Sequence, residues 1–171
     1  MKALLLAAVA AVILPAAAQA RPVWTFDRDD AGHARLIFAD PEDGGEGDPP
    51  MLTCTPRGQM TVLTYADGAH FPLHTASEQS QERLDRQGRP GPWPAQVRVS
   101  SGGVTAMAPG HAEYGGEMND TSVVRGVLPL TSPAIRAFRT TGRLRLVAFG
   151  EDAGLTPVPQ PLLRRFMAAC R

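Results

Sequence analysis

Short runs in which apolar and polar side chains alternate, separated by clusters of Gly, Pro and Asp, make up most of the chain beyond residue 20. Period-two alternation puts every second side chain on one face of a pleated backbone, so these runs predict half-buried strands. In 23–27 (VWTFD) Trp24 and Phe26 share a face, and after Asp30-Ala31-Gly32 the run 33–39 does the same with Leu36 and Phe38, which predicts an opening hairpin. Residues 51–55 (MLTCT) and 59–65 (QMTVLTY) predict a second hairpin across Pro56-Arg57-Gly58, with Leu52 and Cys54 side by side on one face. Residues 95–100 (AQVRVS) align Val97 with Val99, turn at Ser101-Gly102-Gly103 and return through 104–108. Residues 109–121 read as a Gly-rich loop. Residues 122–130 (SVVRGVLPL) have strand composition, and Gly126 and Pro129 within them predict a bulge or an edge position. The cleanest alternation is 143–149 (RLRLVAF), with Leu144, Leu146 and Ala148 inward and Arg143 and Arg145 outward.

Two segments change to helical spacing. Thr131-Ser132-Pro133 offers a hydroxyl N-cap followed by proline at the first helical position, Ile135 and Phe138 form the buried pair, and Gly142 supplies the stop. After an extended Pro-rich stretch at 156–161, residues 162–170 place Leu162, Leu163, Phe166 and Met167 on an amphipathic helix. The fold class that follows is mainly β: a small antiparallel sandwich or partly closed barrel with a short helix near 132–140 and a C-terminal helix. Two polar stretches interrupt it. Residues 41–50 (PEDGGEGDPP) read as a flexible surface loop whose acids do not follow EF-hand spacing. Residues 75–92 read as a second flexible loop or as a short exposed helix over 77–85.

The first twenty residues alter this picture most. Lys2, the apolar run 3–14, Pro15 and the small residues Ala18-Gln19-Ala20 have the layout of a secretory signal peptide cleaved after Ala20. The run is shorter than the roughly 20 residues that span a bilayer, so no membrane span is expected once it is removed. Residues 21–171 then form a single β-rich domain, in the periplasm or secreted. In an oxidising compartment the two cysteines, Cys54 and Cys170, are expected to pair. Cys54 shares a strand face with Leu52, and Cys170 shares a helical stripe with Leu163 and Met167, so both sulfurs are aimed at a core. No Cys-x-x-Cys spacing suggests a redox role instead.

Seventeen basic and seventeen acidic side chains balance, and loss of Lys2, the only lysine, leaves the mature chain at −1. Neutrality gives no argument for nucleic acid or an anionic membrane as a bulk partner. The distribution is uneven: acids crowd residues 27–48, whereas Arg125, Arg136, Arg139, Arg143, Arg145, Arg164, Arg165 and Arg171 crowd the end. Two readings follow, a basic surface for an anionic partner, or two regions that are solvated or packed against each other.

Candidate chemistry is sparse. Ser101, in VSSGG, precedes backbone donors in a Gly-rich turn, but no G-x-S-x-G elbow surrounds it. His70 and His74 (HFPLH) have metal-ligand spacing only on a helix, which Pro72 opposes, and on a strand they stand about 13 Å apart. No H-E-x-x-H, phosphate loop or dinucleotide fingerprint occurs, so no cofactor and no metal is expected. Trp93, between Pro92 and Pro94, is either a plug over the core or an exposed contact residue, and Tyr114 is a further aromatic contact candidate.

The order of these features resembles that of small uncharacterised exported (periplasmic) proteins of Gram-negative bacteria. The residues that carry the likeness are an N-terminal tryptophan strand, Leu52-x-Cys54, a Ser-Pro helix ahead of Phe138 to Leu144, and Phe166 to Cys170. A second likeness is to periplasmic lysozyme inhibitors of the small β-barrel type, with Ser101-Gly102 and Tyr114 as the matching residues. The first resemblance implies location and fold. The second implies an inhibitory loop. Together with the absence of a convergent catalytic set, the expectation is a non-enzymatic binding or envelope-accessory domain whose partner is an unidentified envelope component. The alternatives are a lysozyme inhibitor and a small envelope hydrolase built on Ser101.

Overall fold

A computed structural model describes residues 22–40, 50–55, 58–67, 73–77, 80–83, 88–114 and 121–170. Residues 1–20, read above as a signal peptide, residues 41–49 of the expected acidic loop, and His70 lie outside the described residues.

The opening hairpin forms as its alternation requires. Strand β1 (Val23–Arg28) pairs antiparallel with β2 (Ala34–Ala39), Trp24 opposite Phe38, their rings 5.1 Å apart. Strands β3 (Met51–Thr55) and β4 (Gln59–Asp67) form the second hairpin, and Leu52 and Cys54 are both buried on one face. Two short strands, β5 (Leu73–Ser77) and β6 (Ser80–Arg83), pair only with each other. The expected helix over 77–85 is therefore replaced by a hairpin over part of that stretch. With Leu84 as the one large apolar residue in 77–85, a helix there would have no apolar stripe to bury.

Strand β7 (Trp93–Ser101) turns through Gly102-Gly103 into β8 (Val104–Tyr114), which pairs with β9 (Thr121–Pro129). Two expectations need correcting here. Residues 109–114, read as loop, continue β8. And β9, read as bulged or at an edge, is central, between β4 and β8. The glycines that suggested irregularity instead permit close approach: Gly110 and Gly126 lie opposite each other, and a Cβ on Gly126 would stand 2.7 Å from the Ala108 carbonyl oxygen. Pro129 closes β9 opposite Gln59, where its missing N–H interrupts nothing further along the ladder.

Helix α1 (Pro133–Thr141) buries Ala134, Ile135 and Phe138, and Gly142 ends it in the left-handed conformation with its N–H donating to the Phe138 carbonyl. Ser132 occupies the N-cap, but its side chain makes no capping bond and its buried hydroxyl finds no partner among the described residues. Pro133 at the first helical position lacks an N–H that would be unpaired there in any case, and its fixed φ starts the helix without a side-chain cap. Strand β10 (Arg145–Ala148) pairs with β7 and with the short β11 (Glu151–Asp152), and helix α2 (Gln160–Ala169) buries Leu163, Phe166 and Met167.

The nine-stranded sheet runs β1-β2-β3-β4-β9-β8-β7-β10-β11, antiparallel throughout, and curls into a half-barrel. Strand β10 touches β4 although three strands separate them in the sheet. Between Val104 and Tyr114 at its two ends, the inward positions of β8 are Ala106, Ala108, Gly110 and Ala112, small enough to leave room inside the curl. Both helices pack on this inner face, α1 on β7 and β8, and α2 on β1 and β2, so that one apolar core unites sheet and helices. The segment leaving β11 crosses back to the opposite edge, where Trp24 Nε1 donates to the Thr156 carbonyl at 2.8 Å. Cys54 and Cys170 are disulfide-bonded, Cα atoms 5.2 Å apart, fastening α2 to β3. No helix among the described residues is long and apolar enough to cross a membrane.

Candidate functional site

The residues singled out from sequence do not assemble. Ser101 ends β7, 4% exposed, and its hydroxyl donates to the Arg143 carbonyl at 2.7 Å with Thr141 Oγ1 3.0 Å away. That bond fastens the β7–β8 turn to the end of α1, and the proton a nucleophile would surrender is already committed. Tyr114 lies at the far end of β8 from the Ser101-Gly102 turn, so the juxtaposition implied by the lysozyme-inhibitor likeness does not form.

Trp93 is the plug rather than the contact residue. It is 3% exposed, opposite Ala112 in a row that continues through Val124 to Thr64, and its Nε1 donates to the Arg89 carbonyl at 2.8 Å. The row places an indole against a methyl-sized neighbour, which is why so large a ring fits inside the curl. His74 pairs through its backbone with Glu82 on the β5–β6 hairpin. Among the described residues no three of His, Cys, Asp and Glu converge as metal ligands.

Acidic and basic groups near the N-terminus settle among themselves. Asp27 bonds Arg35 across the first hairpin, and this, with the Arg28 backbone N–H, holds its carboxyl below the usual range. Asp29 accepts from the His33 backbone at 2.7 Å and lies 2.9 Å from its ring. Desolvation opposes its charge, but the His33 bonds together outweigh it and lower the pKa. Asp152 is lowered by the Gly154 N–H and by Arg145, whose Nε is 2.6 Å away. His111 and Glu113, two apart on β8, form one further surface pair at 3.0 Å.

The C-terminal arginines are arranged differently. Between residues 121 and 170 the only acids are Glu151 and Asp152, and Asp152 is taken by Arg145. Arg165 lies over the Phe26 ring, 4.3 Å from its centre, so α2 and the acidic hairpin do pack together, yet through an aromatic face rather than a carboxylate. Arg136 and Arg139 share a face of α1, and no carboxylate among the described residues pairs with them or with Arg164. Arg139 and Arg164 line one groove between the two helices, of about 320 Å³, together with Leu163, Met167 and Ala168. A second hollow of about 250 Å³ lies over the disulfide, lined by His33, Thr55 and Ala169 among others. The groove was not visible in the sequence as a site. Its one advance signal was the scarcity of acids beside the late arginines. The chain matches no protein-family model, no curated protein and no solved structure.

Proposed function

We propose that this protein is an exported, non-enzymatic binding domain that docks on an anionic surface of the bacterial envelope through the arginine-bearing side of its two helices. One observation carries the reading: Arg136, Arg139 and Arg164 are exposed on that side with no carboxylate partner among the described residues, while Asp27 and Asp29 of the first hairpin are occupied by Arg35 and His33. Unpaired guanidiniums on a rigid helix pair retain their full attraction for an external anion, and that attraction weakens with salt. The leader-like first twenty residues and the Cys54–Cys170 bond support an oxidising, extracytoplasmic location.

The test is co-sedimentation of the mature chain with vesicles of phosphatidylglycerol and, separately, of phosphatidylcholine. Wild type is expected to pellet with the anionic vesicles at low salt and to be released as salt rises. The triple variant Arg136→Gln, Arg139→Gln, Arg164→Gln is expected to stay in solution. Equal binding of wild type and triple variant would overturn the reading.

A further inference from the structure

The groove between α1 and α2 is more specific than the charged face around it. Arg139 stands in the last turn of α1, where a cation also complements the helix dipole. Arg164 has no such reason to be where it is. It lies in the second turn of α2, whose first turn holds no acid, so neither the helix end nor a neighbouring carboxylate rewards its charge. The two arginines nevertheless line the same cavity, on helices held in place by the core residues Phe138, Leu163 and Phe166 and by the Cys54–Cys170 bond. Leu163, Met167 and Ala168 line it as well, so apolar side chains lie beside the two charges.

Resting on the reading above for its location, we propose that this groove is a binding site for a phosphate monoester whose organic group is apolar. Near neutral pH a phosphate monoester carries between one and two negative charges and three acceptor oxygens, which suits two separate planar donors better than a single carboxylate does. The volume of about 320 Å³ is at the lower end for small-molecule sites and fits a headgroup with a short apolar body. Met167, unbranched and polarisable, is suited to lie against an aromatic or alkyl group of varied shape. The ester reaches the groove either as a soluble molecule or as a lipid headgroup such as phosphatidic acid.

Calorimetric titration of the mature, disulfide-bonded protein with phenyl phosphate tests the site, with inorganic phosphate and phenol as the two halves of the probe. Phenyl phosphate is expected to bind more tightly than either half. Loss of one charge-assisted contact in Arg139→Gln or Arg164→Gln is expected to weaken it by about tenfold or more. Arg98→Gln, an exposed arginine on β7, is expected to leave it unchanged. Vesicles of phosphatidylcholine doped with phosphatidic acid distinguish the sources: competition by these vesicles against phenyl phosphate identifies the lipid form, and its absence the soluble one. Wild-type affinity in both groove variants, or an equal loss in Arg98→Gln, would overturn the site. Phosphatidylglycerol binding that still depends on the triple substitution would then leave the broader surface reading standing by itself.

Discussion

Gly110 and Gly126 face each other across the β8–β9 ladder, and neither position has room for a methyl group. At Gly110 a Cβ would run into the Arg125 carbonyl, and at Gly126 it would come within 2.8 Å of the Ala108 side chain. Two strands at the centre of the sheet thus approach each other closely, and helix α1 packs on β8.

Gly126→Ala should destabilise the fold by overpacking, at a cost of about 1–3 kcal/mol. For a chain of this size each kcal/mol corresponds to roughly 2–4 °C in Tm, so thermal unfolding followed by circular dichroism reads the effect directly. An unchanged Tm would mean that β8 and β9 separate without cost.

The Cys54–Cys170 bond spans 116 residues of sequence. Loop-closure entropy for so long a loop is worth about 4–5 kcal/mol, and Cys54→Ser with Cys170→Ser should lower urea stability by a large part of that. Comparing the midpoint of oxidised wild type with that of the double variant measures it. The curled sheet should persist in the far-ultraviolet spectrum, since the core of Leu36, Val62, Ile135 and Phe138 is intact.

Trp24→Phe removes the donor that holds the Thr156 carbonyl while keeping an aromatic ring against Phe38. Loss of one such bond should cost about 0.5–1.5 kcal/mol. Because the bond ties the two ends of the sheet together, limited proteolysis should begin to cut within 153–159 before global unfolding.

Ser101→Ala removes the short bond to the Arg143 carbonyl, leaving only the longer 3.4 Å one from Thr141 Oγ1, and should cost about 0.5–1.5 kcal/mol. A serine-directed fluorophosphonate probe should label wild type and variant equally little. Labelling at Ser101 would contradict the structural role given to its hydroxyl.

Acid should weaken the fold through Asp27, Asp29 and Asp152, whose folded pKa values all lie below the ordinary 3.8. A carboxylate with a depressed folded pKa contributes stability above its unfolded value, and that contribution disappears as pH falls through the folded one. Stability should therefore decline below about pH 4, modestly because these groups are largely exposed to solvent. Asp152→Asn should flatten the decline slightly in urea midpoints measured as a function of pH, as Asp152 loses its charge-dependent bonds to Arg145 and the Gly154 N–H.

Local pattern alone fixed several elements. Alternation marked β1 through β4 and β10, the Ser-Pro start and the Gly142 stop bounded α1, and the apolar stripe at Leu163, Phe166 and Met167 defined α2. It also placed Cys54 and Cys170 on inward faces, and those faces meet. Each of these is a short-range matter: which side of a strand or helix a residue occupies depends on its own backbone period and its immediate neighbours.

Strand order belongs to the tertiary structure. A glycine inside a strand signals a bulge, an edge or a close approach, and only the partner strand decides which; here Gly126 meets Gly110, so β9 is central. The same holds for the side chains with chemical potential. Ser101 became structural because Arg143, far along the chain, presents a carbonyl to it, and Arg139 and Arg164 became neighbours because the core packs α1 against α2. Sequence determined which residues face inward, whereas the meeting of distant segments, governed by shape and volume in a shared core, decided what those residues touch.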